Sequence, residues 1–298
     1  MSAVARAGIV AGLVVCGCWV SAAPAPPPPL DTLLTRVGER VAAFYRRAQS
    51  VICLESSTVQ PVTKNWSWEG MARTVESDLR VEADDAIGDA FPEAKVIREI
   101  RRINGRLPRE RDKKDRTGCM DPNPLSSEPL AFLTPAHRGE YVFTRLREGK
   151  DKDRAALVID FVSADRTSRL ELIEDERGHD DCFDWKGPIA TRGSVWVDAD
   201  THDVLRVERH LTGPVDLKVP WKLQRKYLFP PWIVMDRADT TLRYATVTFK
   251  DPEERLLLPE SIESMTIVRG TLQSYRQTDT YTNYRRFLTS GRLRIPDR

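Results

Sequence analysis

The sequence predicts a mainly β, α+β fold in which one curved antiparallel sheet wraps around an N-terminal amphipathic helix. Three observations carry that prediction. Leu30, Leu33, Leu34, Val37, Val41, Phe44 and Ala48 recur at three- and four-residue spacing, the period of one helix face. After Ser50 the apolar period changes to two and stays there through about ten further runs, as half-buried strands require. Short turn signals such as Asn104 with Gly105 separate several of these runs, and strands joined that tightly run antiparallel.

Composition agrees with a globular chain. Of 298 residues, 41% are apolar and seven are Trp, against only 16 Gly, which excludes a collagen, a coiled coil and a wholly disordered polymer. Lys and Arg number 46 and Asp and Glu 44, a net charge of +2, so nothing in the charge balance asks for a nucleic-acid partner. No internal repeat marks a solenoid.

Taken in order, residues 1–22 read as a secretory signal peptide. Arg6 is followed by an apolar run from Ala7 to Val15 and then by the small residues Ser21, Ala22 and Ala23, with cleavage expected after Ala22 or Ala23. The apolar run is well short of the ~20 residues that span a bilayer, so no transmembrane segment is expected after signal removal. The alternative is a lipid anchor through Cys18, since Val15, Cys16, Gly17 and Cys18 approach the sequence of a lipidated cysteine. Residues 23–29 form a Pro-rich spacer, extended because proline fixes φ and withholds a backbone donor. Residues 30–290 are expected to form one domain, and residues 291–298 a C-terminal tail.

The helix is predicted over Asp31 to Gln49, with Arg36, Glu39, Arg40, Arg46 and Arg47 on its polar face. Gly38 weakens it by about 1 kcal/mol relative to Ala, which a packed apolar stripe overrides. Strands are expected at 51–60, 74–82, 95–103, 140–146, 155–162, 194–198, 204–211, 240–249, 260–268 and 273–287. Thr74 to Glu82 is the clearest, with Val75, Leu79 and Val81 alternating with charged residues. Leu125 to Leu133 suggests a short helix, and the charge run from Arg109 to Arg116 a solvated loop. The leading helix has no other partner for its stripe, so the sheet must curl around it.

Three cysteines follow the signal region. Cys53 sits in an apolar run that suits a buried free thiol. Cys119 and Cys182 lie in polar, turn-rich surroundings and are expected to pair as a disulfide; the alternative is zinc binding by Cys182 with His179, against which no second close cysteine is present. The four histidines lack the spacing of a metal-protease site, no Gly-x-Ser-x-Gly turn or phosphate-binding loop occurs, and the acidic cluster around Asp175 to Asp181 reads as a solvated loop. No catalytic residue, metal or cofactor is therefore assigned, and a non-enzymatic role is expected.

The helix Leu33 to Arg47 leading into Val51 to Thr58, the pair Gly193 to Asp198 and Val204 to Val207, and the terminal strand Tyr281 to Phe287 together resemble the periplasmic lipoprotein-carrier and lipoprotein-sorting superfamily. That resemblance covers most of Leu30 to Leu288. It implies an open half-barrel with helices on its concave side and an apolar cavity for acyl chains. A Cys-containing insertion from Arg106 to Pro124 makes the chain longer than a minimal carrier. On this reading the chain is an exported periplasmic or extracellular protein that binds a lipid, a lipoprotein acyl chain or another apolar ligand. Val75, Leu79, Leu157, Ile159, Phe161, Val195 and Leu205 are expected on the inner face, with Trp221 and Trp232 near the entrance. The competing reading is an interaction or sensor module for another envelope protein, its core filled by Trp196, Phe161, Phe249 and Trp232. The basic and aromatic segment from Trp221 to Trp232 is expected as a loop, either a lid or a segment pinned by its own rings.

Overall fold

A computed structural model describes residues 28–48, 51–83, 94–109, 129–174, 182–250, 253–270 and 272–286. Helix α1 (Leu30–Ala48) leads into a 13-stranded sheet: β1 (Val51–Val62), β2 (Arg73–Ala83), β3 (Ala94–Ile103), β4 (Tyr141–Asp151), β5 (Arg154–Ser163), β6 (Leu170–Glu174), β7 (Phe183–Lys186), β8 (Thr191–Asp198), β9 (Val204–Leu211), β10 (Val215–Lys218), β11 (Trp232–Lys250), β12 (Glu253–Val268) and β13 (Ser274–Arg286). The main path runs β3-β2-β1-β13-β12-β11-β9-β8-β5-β4, antiparallel throughout, and among the described residues β3 does not pair with β4. The sheet is therefore open.

Its curvature follows from what one helix touches. Leu33, Leu34, Val37 and Val41 share a single buried cluster with Cys53, Leu157, Ile159, Phe161, Val195, Val197, Val207, Leu242, Tyr244, Ile262 and Tyr281. Those side chains come from β1, β5, β8, β9, β11, β12 and β13, and a flat sheet could not bring seven strands to one helix. The architecture is the half-barrel that the sequence resemblance implied. Two ion pairs fasten the helix outside this stripe: Arg40 to Asp203 in the β8–β9 turn, at 2.9 and 3.2 Å, and Arg47 to Glu254 at the start of β12, at 2.6 Å.

Turn chemistry sits where the sequence put it. Asn104 and Gly105 both take positive φ, 49° and 75°, and Ile103 and Arg106 exchange backbone bonds across them, a two-residue turn of the primed type. Asp198 closes the β8–β9 connection by accepting the amides of Asp200 and Thr201 on Oδ1, at 3.0 and 2.8 Å.

Three strands and one helix depart from the sequence reading. β6, β7 and β10, of four or five residues, are too short to show a period; β10 pairs with β11, β6 runs parallel to β10, and β7 closes the set. The segment expected as a loop contains helix α2 (Trp221–Tyr227), which sets Leu223 into a second buried cluster with Leu170, Leu172, Val215, Leu217, Ile233 and Met235. The expected short helix at Leu125 to Leu133 is described only from Pro129 onward, where Ala131–Leu133 forms a 3-10 turn.

Candidate functional site

Alternation along each strand sorts the expected inner-face residues. Leu157, Ile159, Phe161 and Val195 do face α1, and all are buried in its cluster, with Leu79 packed against the margin. They are core side chains beneath the helix, filling that part of the half-barrel. Val75 is buried on β2 opposite Ser57.

Leu205 is a correction. The β8–β9 register passes from Trp196 opposite Arg206 to Val197 opposite Val204, so Leu205 is the extra residue of a β-bulge. The bulge shifts the phase of alternation and turns Leu205 to the outer face, where it packs with Ala156, Val158 and Trp196. Trp196 is thus no interior filler; it lies under the Arg206 guanidinium, 3.6 Å from ring centroid to Cζ.

Trp221 and Trp232 are exposed, at 69% and 56%, beside the second cluster and outside the one that holds α1. Trp232 does not fill a core, and the pinning rings are Phe183, Tyr227 and Phe229, with centroids 4.9 to 5.5 Å apart.

An open volume lies next to the packed core. A cavity of about 300 Å³ is lined by Pro129, Ala131, Phe132, His137, Glu140, Tyr141, Arg209, Thr240, Leu242 and Ile262. One wall is the segment of 3-10 turns Ala131–Leu133 and Arg138–Glu140, which is held on the helix in two ways. The Leu130 amide donates to Tyr45 Oη at 2.9 Å, and the Leu133 carbonyl approaches Gly38 so closely that a Cβ there would sit 3.1 Å from it. The glycine that weakens α1 locally is what lets this wall approach.

The opposite wall comes from β9, β11 and β12. Val207 faces the helix, so Arg209, two residues on, faces the same side, with Thr240 directly across on β11. Phe132 carries the aromatic lining: its centroid is 4.9 Å from Phe161, 5.3 Å from Tyr141 and 4.9 Å from the Arg209 guanidinium carbon. Gly193 makes the crowding tolerable. It lies between Phe161 and Arg209 in register, and a Cβ there would fall 1.9 Å from the Glu208 carbonyl oxygen and 2.8 Å from the Phe161 ring.

Further along the inner face the sheet turns polar. Glu55 accepts from Arg98 at 2.5 and 3.0 Å, Asp279 accepts from Ser57, and the Gln277 amide donates to both Asp279 oxygens at 3.0 Å. Glu55, Ser57, Ser77, Gln277 and Asp279 are all buried. Loss of water pushes the Asp279 carboxyl up to about 6, with the Glu55 charge adding to the rise, against the Ser57 and Gln277 bonds and the Arg98 charge. Cys53 on the same face is a free, buried thiol, as the sequence predicts, pushed up to about 12 mainly by burial.

The cavity residues Phe132, Tyr141, Arg209, Thr240, Leu242 and Ile262 escaped the sequence reading. One signal was there: once Arg206 and Glu208 are assigned to water, parity sends Arg209 inward. The expected disulfide partner Cys119, the signal peptide with Cys18, and the acidic cluster at 175–181 lie outside the described residues. Among the described residues no group of three metal-ligating side chains gathers, and no helix is long and apolar enough to cross a membrane.

Fold and cavity together define a half-barrel protein with an amphipathic pocket on its concave side. No protein-family model matches the chain, and neither does any curated protein. Among solved structures it is similar to a LolA superfamily protein from Nitrosomonas europaea, with 9% identity, 84% of this chain and 92% of that chain covered, and a TM-score of 0.34.

Proposed function

We propose that the chain is an exported envelope protein that binds an apolar ligand, a lipid or an acyl chain, in the concave pocket, without catalysis. The observation that carries this reading is the cavity of about 300 Å³ with Phe132, Tyr141, Leu242 and Ile262 in its lining. Its volume falls at the lower end of the ~300–1,000 Å³ typical of small-ligand sites, enough for a single chain segment. Each methylene moved from water into such a lining contributes about 0.8 kcal/mol. Residues 1–22 would direct export, and Cys119 would pair with Cys182 in the oxidising compartment.

Titration of the full-length mature chain with a neutral, environment-sensitive naphthylamine dye tests the reading. Saturable binding is expected, with competition by long-chain alcohols, and Thr240→Trp, which puts a large ring into the lining, is expected to weaken it about tenfold or more with an unchanged melting temperature. No saturable binding, or full binding by the Trp variant, would overturn the site.

A second reading has its own observation. Among the described residues β3 and β4 end the main path with no further partner strand, and such an edge can accept an added strand, so a module that docks another envelope protein fits the same fold. A chain with no dye site that captures an extended peptide on one edge would favour it.

A further inference from the structure

Arg209 is the feature of the pocket that an acyl chain alone does not explain. It projects from β9 into a largely apolar lining, its Nε is buried without a hydrogen-bond partner, and among the described residues no carboxylate stands within ion-pair distance of it. The contrast with its neighbours is sharp. On the outer face Arg206 also has a buried Nε without a hydrogen-bond partner, but it stands 3.5 Å from both Asp151 and Glu208, and elsewhere Arg98, Arg40 and Arg269 each grip a carboxylate.

The one carboxylate in the pocket's lining, Glu140, does not answer the charge. Glu140 is exposed and engaged by His137, with Oε1 3.0 Å from Nδ1. What Arg209 has is the face of Phe132, a weak and non-directional partner for a guanidinium. Arg209 is half-buried, but its Nε is cut off from water without a counter-charge, and a donor left so beside an apolar hole is available to something that enters. Thr240, directly across from Arg209, adds a hydroxyl to the same lining.

We infer that the ligand is a single-chain anionic amphiphile, whose carboxylate or phosphate head is held by the Arg209 guanidinium while its chain lies along Phe132, Tyr141, Leu242 and Ile262. The inference rests on the pocket being the apolar-ligand site proposed above. A guanidinium presents paired donors that match the two oxygens of either head group, and such charge-assisted bonds are the strong ones in a dry site.

The test compares dodecanol, dodecanoate and dodecyl phosphate, three ligands of equal chain length, by calorimetric titration into the full-length mature chain and its Arg209→Gln variant. One or both anions are expected to bind the native chain about tenfold or more tightly than the alcohol. Arg209→Gln is expected to erase that preference while dodecanol still binds, and to hold or raise the melting temperature of the ligand-free protein, since it removes an unpaired charge. The better anion identifies the head group. Equal binding of all three by the native chain would overturn the anionic head while leaving the apolar site standing, as would a preference that survives in Arg209→Gln. Failure of all three to bind would overturn the apolar site itself.

Discussion

Asp279 shows what a single interior position does to the pH response. Its carboxyl is pushed from an ordinary 3.8 up to about 6, chiefly by burial, so the folded state holds this proton more tightly than the unfolded state does. Its contribution to stability is therefore greatest below the unfolded value and is lost as pH rises through about 6. The full difference is worth up to roughly 3 kcal/mol. Denaturant midpoints measured from pH 4 to pH 8 should show this fall in the native chain and a flatter profile in Asp279→Asn; parallel profiles would show that Asp279 does not titrate in that window. In sequence, Glu55 and Ser57 share a face with Cys53 and Val59, so this polar strip was readable along β1. That Asp279 meets Ser57 was not, because the two are far apart in the chain and join only through the β1–β13 register.

Among the elements, α1 was the most legible and the β9 bulge the least. The apolar stripe of α1 is built from local spacing alone, and Leu33, Val37 and Val41 take their places in the core. Leu33 is fully buried, so Leu33→Ala is expected to lower stability by about 2–5 kcal/mol through lost transfer energy and the cavity left behind. Arg36→Ala on the exposed face is expected to stay within about 0.5 kcal/mol. Chemical unfolding of the two variants checks the pair, and equal effects would show that the helix does not seat on the sheet by this stripe. The bulge left no local mark: Val204 to Leu211 alternates acceptably with or without it, and the extra residue appears only when β9 is laid against β8. That one offset sends Leu205 outward and keeps Val207 and Arg209 inward. α2 was hidden for a different reason, since seven residues rich in Lys, Arg and aromatic rings carry too little apolar period to distinguish a short helix from a loop.

At the scale of the molecule, the half-barrel distributes its apolar residues over more than one centre. The α1 cluster and the cluster of β6, β10, β11 and α2 share strands β9, β11 and β12 yet collect different side chains. The proposed bond between Cys119 and Cys182 would tie residue 182, at the entry to β7, to a distant part of the chain. Disulfides of this kind contribute about 2–4 kcal/mol by restricting the unfolded chain. Peptide mapping of native protein under non-reducing conditions should recover a fragment joining those two cysteines, with reduction lowering the melting temperature by several degrees. Cys53 should stay unmodified by thiol reagents until the fold opens, as its burial requires. Recovery of Cys119 or Cys182 as a free thiol in exported protein would remove the disulfide.

The order of elements, the helix with its apolar face, most of the long strands and the tight turns follow from residues close in sequence, because period, capping and turn chemistry act over a few positions. The half-barrel class followed from the same source, since a lone amphipathic helix ahead of a long antiparallel sheet has one surface to cover. What the chain order could not decide was where the interior would be full and where it would be open. Beneath α1 the expected ligand-facing residues Leu157, Ile159, Phe161 and Val195 meet the helix and close the space; beside it, the turns around Phe132 stand off from β11 and leave a pocket with Arg209 in its wall. Volume and unpaired charge belong to no single residue. They arise where strands distant in sequence are brought into register, and only the folded molecule sets that.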